Sequence, residues 1–318
     1  MFRMLLQKYI GESLLLLAAC GIMLFIFPWV RIWTVSQFEL SGFEPLLQQI
    51  RILEKFSPVP LEQFLTYPGV IGLTFDEPIL ILCTLVWCIA RGSDVVSGEI
   101  GRGTMEMLLA QPVSRMKTVL AHGLVTISGL AILAALTFAG MYLGIETNSV
   151  WITRPGVAIQ VPGLPFQIDN PWAPPVRTLE ALSDHASIRL YVAATLNLFS
   201  LGFFVFALSV FFSSFDRFRW RTIGLTIGFY ICQLLLFVLA KSTPKLGFLK
   251  NFSFLAAYQP DWMIQESVKS PERIWHFWIP ETASFGALGY IVFLLAAGLV
   301  LYGAGIGIFC RRDIPAPL

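Results

Sequence analysis

Six stretches of this chain run apolar for about eighteen residues or more, long enough to cross the hydrocarbon core of a bilayer. They fall at about 13–33, 78–96, 118–144, 188–212, 222–240 and 285–310. No water is available inside a bilayer to hydrogen-bond the peptide groups, so each stretch has to satisfy its own backbone. That leaves the α-helix as the only conformation open to it. The predicted fold class is therefore an all-α membrane protein with six transmembrane helices. Composition agrees: 13% of residues are charged and the mean hydropathy is +0.72, where a soluble domain carries about 25% charge. A net charge of +2 is too small to favour nucleic acid as a partner.

Six crossings put both ends of the chain on one side. Basic residues decide which side. Arg3, Lys8, Arg91, Arg102, Arg115, Lys117, Arg217, Arg219, Arg221, Arg311 and Arg312 cluster at the short connections on the side of the termini, and the longer connections opposite hold the same number spread more thinly. The positive-inside rule then predicts a multi-pass cell-membrane protein with a cytoplasmic N-terminus and C-terminus. The opening MFRMLLQKYIGE alternates basic and apolar groups and reads as an N-terminal interfacial helix. Asp76, Glu77 and Pro78 suit a helix start. The preceding YPGVIGLTF fits either more of the same helix or a separate turn at the interface.

Three outer loops are long, at about 34–68, 145–187 and 241–284. The middle one carries six prolines between Pro155 and Pro175, which excludes helix and favours extended coil or short edge strands. The last holds Trp262, Trp275, His276, Phe277 and Trp278, the composition of an interfacial aromatic belt. A lip for substrate is the sharper alternative. The sequence has no internal repeat.

Catalytic and metal-binding patterns are missing. No glycine-rich loop ends in Gly-Lys-Ser/Thr, so the chain is not expected to cradle ATP phosphates. His122, His185 and His276 lie far apart, and Cys20, Cys83, Cys88, Cys232 and Cys310 all fall in spans, where cysteine packs as a small hydrophobe. No metal or cofactor is expected on this chain. Asn197 and Gln233 are the clearest polar groups inside spans, and such groups either line a pathway or bond across helices. Gly224 and Gly228, four apart, would permit close helix contact.

One polar segment stands out, SGEIGRGTMEMLLAQPVSR at 97–115. Glycine breaks at Gly101 and Gly103 precede Thr104, a good N-cap, with Glu106 in the first turn. Met105, Leu108 and Leu109 share one helical face, and Pro112 stops the turn. Ser114 can cap the next helix, with Arg115 and Lys117 at its base. The segment thus reads as a short helix in the cytoplasm whose apolar face lies on the membrane or enters a partner.

These residues resemble a family motif. Permease subunits of type-2 ABC exporters carry a glutamate, a few charged residues, Gly-Thr, then an acidic-apolar helix ending in Leu-Leu, Pro and Ser-Arg. Here those positions are Glu99, Gly103, Thr104, Glu106, Leu108, Leu109, Pro112, Ser114 and Arg115; Ile100 and Gly101 stand where the family usually has charges. The nearest likeness is to the copper-enzyme-maturation and gliding-motility permeases. The resemblance implies a non-catalytic subunit of an ATP-driven exporter. It implies a separate cytoplasmic ABC ATPase holding ATP and Mg, a coupling helix between spans 2 and 3, and a second permease copy or a related permease. FDRFRWR at 215–221 is either a second ATPase contact or plain charge anchoring. Two alternatives from other classes are a membrane scaffold or assembly factor acting on an extracytoplasmic partner through the outer loops, and an intramembrane enzyme. Asp76–Glu77 is the only tight acidic pair facing outward on which the enzyme could draw.

Overall fold

The computed structural model describes residues 2–38, 66–109, 114–154, 159–160, 167–168, 176–280 and 284–312. Among them six helices are long and apolar enough to cross a membrane. The first, α1 (Phe2–Ser36), is continuous. The predicted interfacial helix is its opening turns and not a separate element: Leu5 and Tyr9 are buried against Ala121 and Val125, so this end is pinned to the bundle.

The second crossing is built in pieces. A short helix α2 (Tyr67–Gly72) leads into a 3-10 turn (Leu73–Asp76). Thr66 starts α2 by accepting from the Gly69 amide, with proline in the first turn. The YPGVIGLTF stretch is thus a separate turn, because Glu77 is extended and Pro78 has no N–H to continue a ladder. Helix α3 (Pro78–Ser93) follows, then a π-helix (Asp94–Gly98) and one last α turn (Glu99–Gly101). Next come α4 (Thr104–Leu109), α5 (Arg115–Thr147), α6 (Val192–Phe215), α7 (Arg219–Ser242), a short α8 (Pro260–Lys269) and α9 (Ala287–Arg311). The long helices overrun the sequence boundaries by a few residues, since caps lie beyond the apolar runs: Ser114, for one, accepts from the Lys117 amide at 3.4 Å.

Helix α6 is the centre of the bundle and α7 its outlier: the apolar window of the first is 78% buried, that of the second 6%. The most extensive interfaces join α1 to α5 and α6 to α9, and α3 packs beneath α6. Small residues let the helices approach. On α5, Gly140 faces the Phe25 carbonyl of α1 so closely that a β-carbon would stand 2.2 Å from the oxygen. Helix α7 owes its cover mainly to the 3-10 segment that follows it (Pro244–Phe252).

At the other end, β1 (Ser149–Arg154) pairs antiparallel with β4 (Val176–Ala181), in register from Ser149↔Ala181 to Arg154↔Val176. Within this hairpin, β2 (Ile159–Gln160) pairs with β3 (Gln167–Ile168). The proline-rich loop therefore does use short strands. β5 (Trp278–Ile279) and β6 (Ser284–Phe285) form a small ribbon ahead of α9. Trp275, Phe277 and Trp278 are substantially exposed, while Trp262 packs edge-on against Tyr290 at 5.9 Å.

Candidate functional site: the charged end of the bundle

Carboxylates and guanidinium groups inside an apolar bundle are costly unless paired. Glu99 and Asp94 are the deepest of them, with relative exposures of 0% and 4%. Glu99 receives Lys8 of α1 at 2.8 Å and Arg102 at 3.3 Å. Asp94 receives Arg102 at 2.6 Å, Arg219 of α7 at 3.4 Å and Arg91 at 3.7 Å. Two carboxylates on the second crossing thus tie it to the first and fifth. The Asp94 hydrogen bond, the largest of several influences, raises the pKa of Arg102 and keeps it charged.

The π-helix sets this geometry. An α-helix carries each residue 100° around its axis; the wider π turn holds Asp94 and Glu99 on one side although they are five apart. Widening leaves amides short of partners. Ser213 of α6 supplies one, its Oγ accepting from Val96 N at 3.2 Å and Ser97 N at 2.9 Å. Ser97 in turn donates to the Ser93 carbonyl at 2.8 Å and meets Thr222 of α7 at 3.0 Å. Four crossings converge on these few residues.

The chain then reverses. Gly103 has φ +70°, in the left-handed region that costs a side chain strain, and a β-carbon there would meet no atom within 4 Å. Backbone conformation alone calls for glycine here. Thr104 does not act as the predicted N-cap: its hydroxyl turns back and donates to the Glu99 carboxylate and, at 3.2 Å, to the Glu99 carbonyl. Donation to a carboxylate is a strong, charge-assisted bond, and it holds the hydroxyl toward Glu99. Met105 is buried in the main core at 1% exposure, so it is part of the bundle and not of the free apolar face expected for it; Met107 is the exposed residue, at 64%. Pro112 and the side chains of Glu106, Leu108 and Leu109 lie outside the described residues. Arg115 reaches the end of α9, donating to the carbonyls of Phe309 and Arg312, and Arg312 donates to those of Ser214 and Asp216 at 3.0 and 2.9 Å. Asp216 folds FDRFRWR by accepting from the amides of Arg217 and Phe218.

The other residues marked in the sequence sit elsewhere. Asn197 of α6 is a latch: its Nδ2 donates to the Ala257 carbonyl at 3.0 Å and its Oδ1 accepts from Gln259 N at 3.1 Å. These bonds fasten the segment before α8 to the central helix. Asn197→Leu is expected to leave one buried amide and one buried carbonyl unpaired, costing about 2–4 kcal/mol. Hydrogen exchange should then quicken across 253–269, and unchanged protection there would refute the latch. Gln233 keeps its Oε1 buried with no hydrogen-bond partner among the described residues. Among the described residues nothing stands within 4 Å of a β-carbon at Gly224 or Gly228, so the close contact these glycines permit is not made there. All five cysteines are free, with Cys20 and Cys88 buried, Cys83 half-buried, and Cys232 and Cys310 on exposed faces.

The Asp76–Glu77 pair is divided at the far end. Glu77 meets Arg31 at 3.2 Å, while Asp76 lines a cavity of about 380 Å³ with Asp261, Lys241 and Lys250. Burial, reinforced by the Lys241 charge, holds Lys250 below the usual lysine range. Among the described residues no three metal-ligating side chains come together.

Lys8, Ser213 and Arg312 had no signal in local sequence. Arg91 had one, an arginine beside an acid in an apolar run.

The chain matches the family described as ABC-2 family transporter protein over residues 15–314. It belongs to the ABC-2 transporter family. Nothing among curated proteins matches it. Membership makes this ABC-2 chain a multi-pass transport permease, and the family implies partnership with an ABC ATPase.

Proposed function

We propose that this ABC-2 permease is the non-catalytic membrane half of an ATP-driven exporter, driven at its charged end by a separate cytoplasmic ATPase that holds the ATP and Mg. A second copy of the permease, or a related one, completes the pathway. The observation that carries the reading is the Glu99 lock. One buried carboxylate joins α1, the π-helix and the turn into α4, so displacement of α4 is passed to two crossings rather than absorbed by a loose loop. Met107 leaves α4 an exposed apolar contact.

Met107→Asp tests this. The side chain is exposed, so the fold and unfolding temperature should be unchanged. Burying the new carboxylate against an ATPase is costly, and stimulation of ATP hydrolysis in the co-purified complex should fall about tenfold or more. Met105→Asp, by contrast, should impair folding. Normal stimulation by Met107→Asp would put α4 on the membrane surface instead of in a partner.

In this reading the charged end, with both termini, is cytoplasmic, supported by the basic residues gathered there. In a background without native cysteines, Glu272→Cys is expected to react with an impermeant maleimide on intact cells. Met107→Cys should react only after permeabilisation. The opposite pattern would invert the orientation and remove the ATPase from α4.

A further inference from the structure

Helices α1 and α7 both pack on α3 but not appreciably on each other. A cavity of about 330 Å³ opens between them, beside the charged end of α3. Three guanidinium groups line it, those of Arg91, Arg102 and Arg219, with Asp94 and Glu12 as the acids and Leu16 and Ala90 as an apolar wall.

Two features mark this cavity as unfinished. The first is charge. Lys8, Arg91, Arg102 and Arg219 are tied by ion pairs to Glu12, Asp94 and Glu99, four cations to three anions. Among the described residues one positive charge is left over at the edge of the bundle, and an anion would be attracted to it. The second is hydrogen bonding. Arg91 is 4% exposed, yet its Nε has no partner among the described residues. The Arg102 and Arg219 side chains are 41% and 42% exposed, and each guanidinium carries five N–H donors, more than Asp94, Glu99, Ser93 and the Ala90 carbonyl take up.

An anion with several acceptor oxygens fits both deficits, and guanidinium forks suit phosphate. The cavity lies between α1 and α7, with Glu12 and Leu16 on one side and Arg219 on the other. Its flanks are lipid-type surfaces: on α1, Leu15 is 86% exposed, and on α7, Trp220 is 72% exposed. A ligand entering this way keeps acyl chains along α1 and α7 while its headgroup meets the arginines. We propose that this cavity binds the phosphate of an anionic phospholipid from the leaflet at the charged end, through Arg91, Arg102 and Arg219. The site adjoins the segment assigned to ATPase docking and does not depend on that assignment. Because Arg102 and Asp94 belong to both, a bound lipid would also stiffen the link into α4.

The test uses the full chain purified from membranes in a neutral detergent and stripped of lipid. Phosphatidylglycerol, phosphatidylcholine and sodium phosphate are titrated separately while thermal unfolding is followed, and native mass spectrometry counts retained lipid. Phosphatidylglycerol should raise the unfolding temperature, and the other two should not. Arg219→Gln should weaken the phosphatidylglycerol response about tenfold; Asp94 keeps Arg102 and Arg91, so the fold should survive. Leu16→Trp fills the cavity without changing charge and should have the same effect, which keeps the test open should Arg219→Gln fold poorly. Lys117→Gln removes a cation at the same end that is not among the residues lining this cavity and should change nothing. Equal responses to the two lipids, or a full phosphatidylglycerol response in both cavity variants, would overturn the site. Sodium phosphate matching phosphatidylglycerol at equal concentration would overturn the lipid as its occupant.

Discussion

Glu99→Ala is expected to release the segment after the π-helix while leaving the six crossings in place. The wild-type carboxylate is fully buried and holds Lys8, Arg102 and Thr104. Breaking a buried ion pair from one side typically costs about 3–5 kcal/mol, because the partner charge is stranded. Lys8 and Arg102 are about a third or more exposed and can turn toward water, so about 2–3 kcal/mol is the reasonable figure here. The loss should be local. Trypsin should cut after Arg102 much faster than in the wild type, and on the proposed reading ATPase stimulation should disappear. Glu99→Gln keeps an acceptor for Thr104 and should lose about half as much. Glu99→Asp falls one methylene short of holding Lys8 and Thr104 together and should resemble Glu99→Gln. An Arg102 site no more open to trypsin in Glu99→Ala would show that the carboxylate does not hold the segment.

Gly140→Leu should be the most damaging single change in the membrane region. Even alanine would place its β-carbon 2.2 Å from the Phe25 carbonyl, and backbone cannot move aside as a flexible side-chain tip can. Helices α1 and α5 would have to separate along one of the two most extensive interfaces of the bundle. Overpacking typically costs about 1–3 kcal/mol, and a larger loss is expected where the obstacle is main chain. Gly224→Ala and Gly228→Ala give the contrast. Among the described residues each new methyl meets nothing, and replacing glycine in a helix interior gains about 0.5–1 kcal/mol. Thermal unfolding of the four proteins in detergent reads both effects. Gly140→Leu unfolding at the wild-type temperature would contradict the described packing. Destabilisation by the α7 alanines would show instead that α7 is covered in an assembly.

Much of this was legible in the residues. Apolar length alone placed the six crossings, because lipid leaves the backbone no alternative to helix. The short strands expected of the proline-rich loop are found where it is described, at 159–160 and 167–168, and Ser114 and Gly103 announced a cap and a break. Legibility failed where partners are distant in sequence. Thr104 reads as an N-cap locally, and only the return of Glu99 beneath it diverts the hydroxyl. Met105 sits in register with Leu108 and Leu109 on a helical wheel, but α4 is too short for its pattern to outweigh the core beside it. Gly224 and Gly228 mark the limit of such reading, since a small-residue spacing says that contact is permitted and not which neighbour, in this chain or another, makes it.

The sequence by itself determined the number and helical nature of the crossings, the side on which basic charge collects, and the presence of a polar helix between the second and third. These depend on composition and on local backbone rules, which act over a turn or two. Only the tertiary structure decided that the N-terminal turns run unbroken into the helix of the first crossing and pack on α5. It alone showed that a π turn brings Asp94 and Glu99 to one side, and that Lys8, Arg91, Arg102 and Arg219 close around them. Pairing of buried charges is a property of space and not of order along the chain: Lys8 lies ninety-one residues from the carboxylate it neutralises.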